Sequence, residues 1–171
     1  MINKFNKIVF IASPPRSGSS ILTKIFHENG FWIGDTKVSD RWNVNGYFEN
    51  LKLRQLLINY LYKNDTENLI KKYQPINLSE PYYNFKTDFI EAILSDGYNN
   101  GWIVFKDPKI CLTWKMINDN FPDATWIFLF RNLANTIKSY QKTEFMDAYN
   151  QNYEWFDYYI KYLQNISSAI K

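Results

Sequence analysis

Apolar residues recur along the chain with two different spacings, and each spacing predicts a different kind of element. Continuous, partly β-branched apolar runs are typical of strands buried in a parallel sheet. They predict strands over Lys7–Ala12, Trp102–Phe105 and Thr125–Phe130. Spacings of three and four predict helices. These cover Ser19 to about Asn29, Leu51–Tyr62, Phe85–Ser95, about Leu112–Asn120, about Leu133–Lys142 and Phe145–Ile170.

Two segments carry no clear period. Phe31–Asn50 contains two glycines and is predicted to be a long connecting loop. Lys63–Glu80 is predicted to be loop with a short helix. Neither segment has the composition of a linker, so residues 1–171 are predicted to form a single domain.

The alternation of strands and helices predicts an α/β fold with a central parallel sheet, right-handed crossovers and a helix-rich C-terminus. Ligands of such folds bind at the carboxyl ends of the strands. Three polar motifs follow the three predicted strands: SPPRSGSS, KDPK and RN. Their convergence at one edge of the sheet predicts a binding site there.

Composition limits the classes of function and the kinds of site that the protein can have. A net charge of +3 is too mild to indicate nucleic-acid binding, and it agrees with a local cationic pocket for a small anion. The single Cys111 excludes an internal disulfide framework, and with one histidine it argues against a metal site. The sequence shows no signal peptide and no apolar run of the roughly 20 residues that span a membrane, which predicts a cytoplasmic protein.

The motif after the first strand has the features of a phosphate-binding loop. A helix beginning near Ser19 offers free N–H groups and positive charge at its N-terminus. Gly18 permits close backbone approach, the hydroxyls of Ser17, Ser19 and Ser20 add donors, and Arg16 adds a bidentate cation. The alternative is a serine N-cap after a stiff proline turn. Ser19 replaces the lysine of the GxxxxGK[ST] pattern, which argues against an ATP or GTP enzyme.

Four segments resemble one known family. PRSGSSIL after a strand resembles the 5′-phosphosulfate loop of sulfotransferases that use 3′-phosphoadenosine 5′-phosphosulfate (PAPS). RNLANTIKSY resembles their 3′-phosphate motif, with Arg131 and Ser139 in the matching positions, although Leu133 stands where the family usually has proline. VFKDPKICLT and NVNGYFEN resemble segments of bacterial members. The four segments extend from Ile8 to about Tyr140.

The resemblance implies a P-loop-like three-layer α/β/α fold and sulfuryl transfer from PAPS, as cosubstrate, to a hydroxyl or amine of a small-molecule or glycan acceptor. It implies no metal. The residues that it assigns to the nucleotide are Pro15, Arg16, Ser17, Gly18, Ser19, Ser20, Arg131 and Ser139.

Sulfuryl transfer needs positive charge at the oxygen left on the 5′-phosphate and a base near the acceptor. Arg16 and Lys106 are the candidate cations, and Glu49 is preferred over Asp35 as the base. A structural Lys106–Asp107 pair and carboxylates that cap turns are the alternatives. Lys109 replaces an arginine of the similar segment, and His27 lies too far along the first helix to be the preferred base.

Three questions stay open on sequence alone. The protein is either an active sulfotransferase, a binding protein that keeps the nucleotide site without catalysis, or, least favoured, a small P-loop kinase. The loop aromatics Trp42, Tyr47 and Phe48 either line an acceptor pocket or pack ordinarily. The aromatic tail helix forms either a homodimer surface or part of the core; its residues are Tyr149, Tyr153, Trp155, Phe156 and Tyr159.

Overall fold

Three short parallel strands form the centre of the protein. The computed structural model describes residues 7–36, 39–41, 43–44, 46–62, 84–142 and 154–170. In this part of the chain, β1 (Ile8–Ala12) lies between β2 (Ile103–Lys106) and β3 (Thr125–Phe128), so the strand order is β2-β1-β3. Because β1 is central, the connection from β2 to β3 crosses over it. The predicted α/β class with a parallel sheet is confirmed.

The register aligns the carboxyl ends of the strands. Ile11 pairs with Lys106 on one side of β1, and Ala12 pairs with Phe128 on the other side. The chain therefore leaves all three strands at the same edge of the sheet. This edge, which we call the carboxyl edge, carries the three polar motifs.

Six helices surround the sheet in the described part of the chain. They are α1 (Ser19–Glu28), α2 (Leu51–Tyr62), α3 (Phe85–Ser95), α4 (Ile110–Asn120), α5 (Leu133–Tyr140) and α6 (Glu154–Ala169). The bounds of α2 and α3 agree with those predicted from the apolar spacing. The prediction for residues 63–80 lies outside the described residues.

The sheet separates two apolar clusters of unequal size. Side chains alternate along β1, so Ile8 and Phe10 face one cluster and Val9 and Ile11 face the other. The larger cluster includes buried residues of α2, α3, α4, α5 and α6, whereas the smaller one is covered by α1. Helices thus lie on both faces of the sheet.

Phe10 lies at the centre of an aromatic group in the larger cluster. Its ring centroid lies 5.2 Å from that of Trp126, 5.8 Å from Phe121 and 5.9 Å from Phe89. These separations and the tilted or edge-on orientations are the favoured ones for aromatic pairs. Several aromatic residues of the described part of the chain are therefore core residues.

The segment predicted as a long connecting loop is irregular but not independent of the sheet. Trp32 forms a parallel bridge with Ile103, and its N–H donates to Trp102 O over 2.8 Å. Further along, Thr36 pairs with Asn50 in an antiparallel bridge. These contacts join the segment to the first residue of β2 and to the residue that precedes α2.

The tail helix α6 buries a different face from the one implied by the apolar spacing. The predicted stripe includes Ile160, Leu163, Ile166 and Ile170. In the structure Tyr159, Tyr162 and Ile166 are buried, and Ile170 is 60% exposed. Tyr162 and Ile166 belong to the larger cluster, so this part of the tail is core.

Cys111 lies in the first turn of α4 and is buried in the larger cluster. Burial raises the pKa of its thiol well above the ordinary value.

Among the described helices, none has both the length and the apolar character needed to cross a membrane.

Candidate functional site

The loop between β1 and α1 has the backbone shape of an anion-binding nest. We call residues 13–20 the anion loop. Arg16 has a φ of 62° and Gly18 a φ of 93°, both left-handed, and α1 begins directly afterwards at Ser19. Left-handed residues alternating with ordinary ones turn successive N–H groups inward, and the first N–H groups of a helix have no partner within it. The loop therefore presents donors to an anion.

Two hydroxyls of the anion loop are buried without a hydrogen-bond partner among the described residues. Ser13 is 1% exposed and Ser17 is 6% exposed, and the Oγ atom of each is unpaired. A buried hydroxyl without a partner costs about 1–3 kcal/mol, so such atoms indicate a missing acceptor or donor. Ser17 was predicted to bind the nucleotide, and its position is consistent with that prediction.

The two predicted halves of the nucleotide site lie in contact. The Nε of Arg16 donates to Ser139 Oγ over 2.9 Å, and Nη1 of Arg131 donates to Arg16 O over 3.2 Å. Arg131 follows β3 and is exposed, whereas Ser139 lies on α5. Residues separated by more than 100 positions thus form one cationic corner at the carboxyl edge.

Two tyrosines that were not predicted as site residues hold this corner. Tyr140, in the last turn of α5, donates to Pro15 O over 3.0 Å. Tyr159 on α6 donates to Arg131 O over 2.5 Å. Pro15 was predicted to bind the nucleotide, and the contact of its carbonyl in this structure is with Tyr140. No local sequence signal points to either contact because each joins remote segments.

A second cluster surrounds Lys106 at the end of β2. Its ammonium donates to Tyr47 O over 2.6 Å, to Glu49 Oε1 over 3.0 Å and to Ser20 Oγ over 3.3 Å. Ser20 in turn donates to Tyr47 O over 3.1 Å. Ser20 belongs to the anion loop, so it joins the two clusters. The structure therefore brings Arg16, Ser20, Lys106 and Glu49 to one edge.

The charges of this second cluster alternate in sign. Glu49 binds Lys106 through Oε1 and Arg54 through Oε2, and Arg54 also lies 3.7 Å from Asp107 Oδ2. Asp107 accepts from Lys109 Nζ over 3.3 Å. Lys106 therefore pairs with Glu49, whereas Asp107 pairs with Lys109, unlike the structural alternative weighed for Lys106. Arg54 was not predicted; its position one turn into α2 offers only a weak signal.

Burial makes Lys106 an unusual lysine. It is 2% exposed, and burial lowers the pKa of its ammonium, opposed by the nearby Glu49 carboxylate. A nearly desolvated cation acts more strongly on a neighbouring anion than a surface lysine does. Lys106 is thus suited to stabilise negative charge that develops close to Ser20.

For the other predicted residues that the structure describes, the hydrogen bonds and packing contacts are with groups other than the anion loop and Lys106. Asp35 is exposed, and its backbone N–H donates to Asp96 Oδ2 over 2.9 Å. His27 is exposed in the last turn of α1, at the far end of the helix from the anion loop. Trp42 lies outside the described residues, and Phe48 packs against the smaller cluster. The described residues contain no group of three or more His, Cys, Asp or Glu placed to hold a metal.

Cationic groups lie at three neighbouring positions of the carboxyl edge. The anion loop with Arg16 offers one cationic position, and Arg131 with Ser139 offers another beside it. Lys106 supplies a third, buried positive charge next to Ser20.

Comparison with known proteins finds no matching family model and no matching curated relative.

Proposed function

We propose that the protein is a sulfotransferase that uses PAPS as its cosubstrate and transfers the sulfuryl group to a hydroxyl or amine acceptor. The observation that carries the proposal is the contact between the anion loop and the pair Arg131 and Ser139 at one edge of the sheet. The four segments that resemble the family support it. A P-loop-like three-layer α/β/α fold, with helices on both faces of a parallel sheet, is part of the same proposal.

The residues present fit a nucleotide with phosphate groups at both the 3′ and 5′ positions. The unpaired Ser17 hydroxyl and the left-handed Arg16 and Gly18 lie in the loop proposed for the 5′ end. The exposed guanidinium of Arg131 is available to the 3′-phosphate while it contacts the loop backbone. Arginine suits phosphate because its planar fork donates two parallel hydrogen bonds.

The bound nucleotide supplies the sulfuryl group. As the bond between sulfur and the bridging oxygen breaks, negative charge grows on the oxygen that stays on the 5′-phosphate. Arg16 and the N–H groups of the loop stabilise this charge because they are fixed before the reaction. Lys106 adds a buried positive charge through its position beside Ser20. The acceptor oxygen or nitrogen would have to approach the sulfur in line with the leaving oxygen, as in phosphoryl transfer.

Glu49 is the carboxylate that we propose as the base that receives the proton of the acceptor. It is 5% exposed, and each of its oxygens already accepts from one cation. A carboxylate oxygen has two acceptor positions, so Oε1 can accept from Lys106 and from an acceptor hydroxyl together. Arg54 keeps the other oxygen fixed and orients the group.

Thermal unfolding in the presence of adenosine nucleotides tests the proposal. The three ligands are 3′,5′-adenosine bisphosphate, ATP and 5′-AMP. A ligand at about 100 times its Kd stabilises the folded state by about 2.7 kcal/mol. We expect the bisphosphate to stabilise most, since it alone occupies both cationic positions. Stabilisation by ATP without any by the bisphosphate would contradict the proposal.

Substitution of Arg131 sharpens the test. Arg131→Ala should weaken the bisphosphate much more than adenosine 5′-phosphosulfate, which lacks the 3′-phosphate. Lys115→Ala, which removes an exposed cation of α4, is the matched control and should leave both affinities unchanged. Equal losses for the two nucleotides in Arg131→Ala would show that Arg131 does not bind the 3′-phosphate.

A non-catalytic nucleotide-binding protein is the second candidate, favoured by the cation contact that each oxygen of Glu49 already makes. The two candidates differ in turnover. The sulfotransferase releases the bisphosphate from PAPS when a suitable acceptor is present, whereas the binding protein releases none across a broad panel of sugars, phenols, alcohols and amines.

A further inference from the structure

Tyr159 fixes the backbone of the arginine proposed to bind the 3′-phosphate. It is 3% exposed, and its hydroxyl donates to Arg131 O over 2.5 Å. Arg131 lies in the short link between β3 and α5, where neither element fixes its peptide by regular hydrogen bonding. Its guanidinium reaches out to Arg16 O. The position of this cation therefore depends on α6, although α6 itself is remote in sequence.

Tyr140 fixes the anion loop in a corresponding way. It is fully buried, and its hydroxyl donates to Pro15 O over 3.0 Å. Arg16, which follows Pro15, has a left-handed backbone. For a residue with a Cβ this conformation costs about 1–2 kcal/mol of conformational free energy. Such a conformation persists only where its surroundings hold it. Tyr140 supplies one of the contacts that hold the preceding peptide.

Both tyrosines are themselves rigidly placed. Tyr140 belongs to the larger apolar cluster, and α6 is anchored in the same cluster by Tyr162 and Ile166. Their hydroxyls thus project from packed helices towards the backbone carbonyls of two loops at the carboxyl edge. The two contacts act on different ends of the proposed nucleotide site.

We propose that Tyr159 and Tyr140 are positioning residues for the nucleotide, and that Tyr159 sets the preference for a ligand that carries a 3′-phosphate. This inference rests on the proposed function. Tyr159 acts through Arg131, whose proposed partner is the 3′-phosphate, so its loss weakens the 3′ end more than the 5′ end, which Arg131 affects indirectly through its bond to Arg16 O. Tyr140 acts through the anion loop, whose partner is the 5′ end, which every adenosine 5′-nucleotide carries.

Substitution of the two tyrosines should therefore change the affinities for the two nucleotides differently. Tyr159→Phe should weaken the 3′,5′-adenosine bisphosphate by about fivefold to tenfold, the range expected for one hydrogen bond, and weaken 5′-AMP clearly less. Tyr140→Phe should weaken both nucleotides by a similar factor. Phenylalanine keeps the ring in the core in each case. Isothermal titration of both nucleotides against each variant measures these affinities.

Tyr98→Phe is the matched control. Tyr98 is also buried, and its hydroxyl also donates to a backbone carbonyl, that of Gly101, over 2.9 Å. Loss of this bond should lower the thermal unfolding temperature without changing either affinity. If Tyr98→Phe changes the ratio of the two affinities as much as Tyr159→Phe does, the effect is a general loss of stability and the inference is wrong.

A double-mutant comparison tests the route through Arg131. In an Arg131→Ala background, Tyr159→Phe should cause no further loss of bisphosphate affinity, because the cation that it positions is absent. A full additional loss would overturn the inference. The proposed function fails separately: a wild-type protein that binds the bisphosphate no better than 5′-AMP contradicts it, whatever the variants do.

Discussion

Tyr47 joins two polar groups of the site through different atoms. Its carbonyl accepts from Lys106 and Ser20, while its hydroxyl donates to Asp40 Oδ2 over 2.8 Å. Burial, together with the hydrogen bond and negative charge of Asp40, raises the pKa of Tyr47 from 10.0 to about 12. The folded state therefore keeps the phenol proton at pH values where an ordinary tyrosine loses it.

This shift predicts a pH dependence of stability. Between about pH 10 and 12 the unfolded chain releases the proton of Tyr47 and the folded protein retains it, so the free energy of unfolding falls as pH rises. Tyr47→Phe lacks this contribution but keeps the backbone carbonyl that Lys106 uses. Urea unfolding of both proteins from pH 8 to 12 measures the difference.

The expected result is a wild-type advantage that is constant below pH 10 and shrinks above it. Tyr98, whose pKa burial also raises, is present in both proteins, so its titration cancels in the comparison. Curves for wild type and Tyr47→Phe that stay parallel up to pH 12 would contradict the assigned shift.

At the residue scale, sequence indicates charged side chains better than it indicates their partners. Arg16, Lys106 and Arg131 stand out because they follow predicted strands, whereas Glu49 is indicated only by the resemblance of the segment NVNGYFEN. The pairing of Lys106 with Glu49 joins positions 57 apart, so no local pattern predicts it. Arg54 is missed for the same reason, since a single arginine on an amphipathic helix is ordinarily a solvated side chain.

At the scale of elements, the anion loop depends on glycine at one position. Gly18 has a φ of 93°, and a Cβ added there meets no atom within 4 Å. Gly101, in the turn before β2, has a φ of 97° and equally open surroundings. The two glycines thus have the same conformational demand, but only Gly18 lies in the proposed site.

This pair makes a controlled prediction. Gly18→Ala and Gly101→Ala should each lower the free energy of unfolding by about 1–2 kcal/mol, the cost of a left-handed backbone for a residue with a Cβ. Only Gly18→Ala should also weaken the bisphosphate, because its methyl group narrows the approach to the loop N–H groups. Denaturant unfolding and isothermal titration measure the two effects. Equal affinities for both variants would show that the ligand does not approach Gly18.

The helices and strands differ in how well their bounds follow from the sequence. The bounds of α2 and α3 are predicted because several apolar positions repeat in each. The strand β2 is predicted one residue early: Trp102 is apolar yet 40% exposed, whereas the charged Lys106 is the last strand residue. Tertiary contacts, which the local sequence does not show, set the bounds of β2. Lys106, for example, is buried against Glu49. The buried face of α6 is likewise set by its contacts with neighbouring helices.

At the scale of the whole molecule, stability is concentrated on one face of the sheet. The larger cluster draws on five helices, and Phe10 on the central strand contacts several of its rings. The anion loop leaves the same strand three residues later, at Ser13. The stability of the core and the position of the anion loop therefore both depend on β1.

Removal of the Phe10 ring should test this concentration. Phe10→Ala should lower the free energy of unfolding by about 3–5 kcal/mol, a large share of the roughly 5–15 kcal/mol typical of a domain. Ile25→Ala, at a position that is 51% exposed on α1, should change it by less than about 0.5 kcal/mol. Urea unfolding measures both. A Phe10→Ala protein as stable as Ile25→Ala would place the main core elsewhere.

The meeting of the three motifs at one edge follows from the sequence because parallel strands must end at the same side. The strand order does not follow from it. Only the structure places β1 between its neighbours, and this order puts Arg131 and Lys106 on opposite sides of the anion loop. The resemblance of four short segments indicates the chemistry, whereas their contacts depend on the whole chain.

The buried Cys111 gives the molecule an internal reporter. It is the sole thiol of the chain, and its raised pKa and burial make it inert while α4 remains in place. Aromatic disulfide reagents then react only with molecules in which this part of the domain has opened. The colour that they release follows the population of the open form, and a nucleotide that slows it reports its own binding without any label.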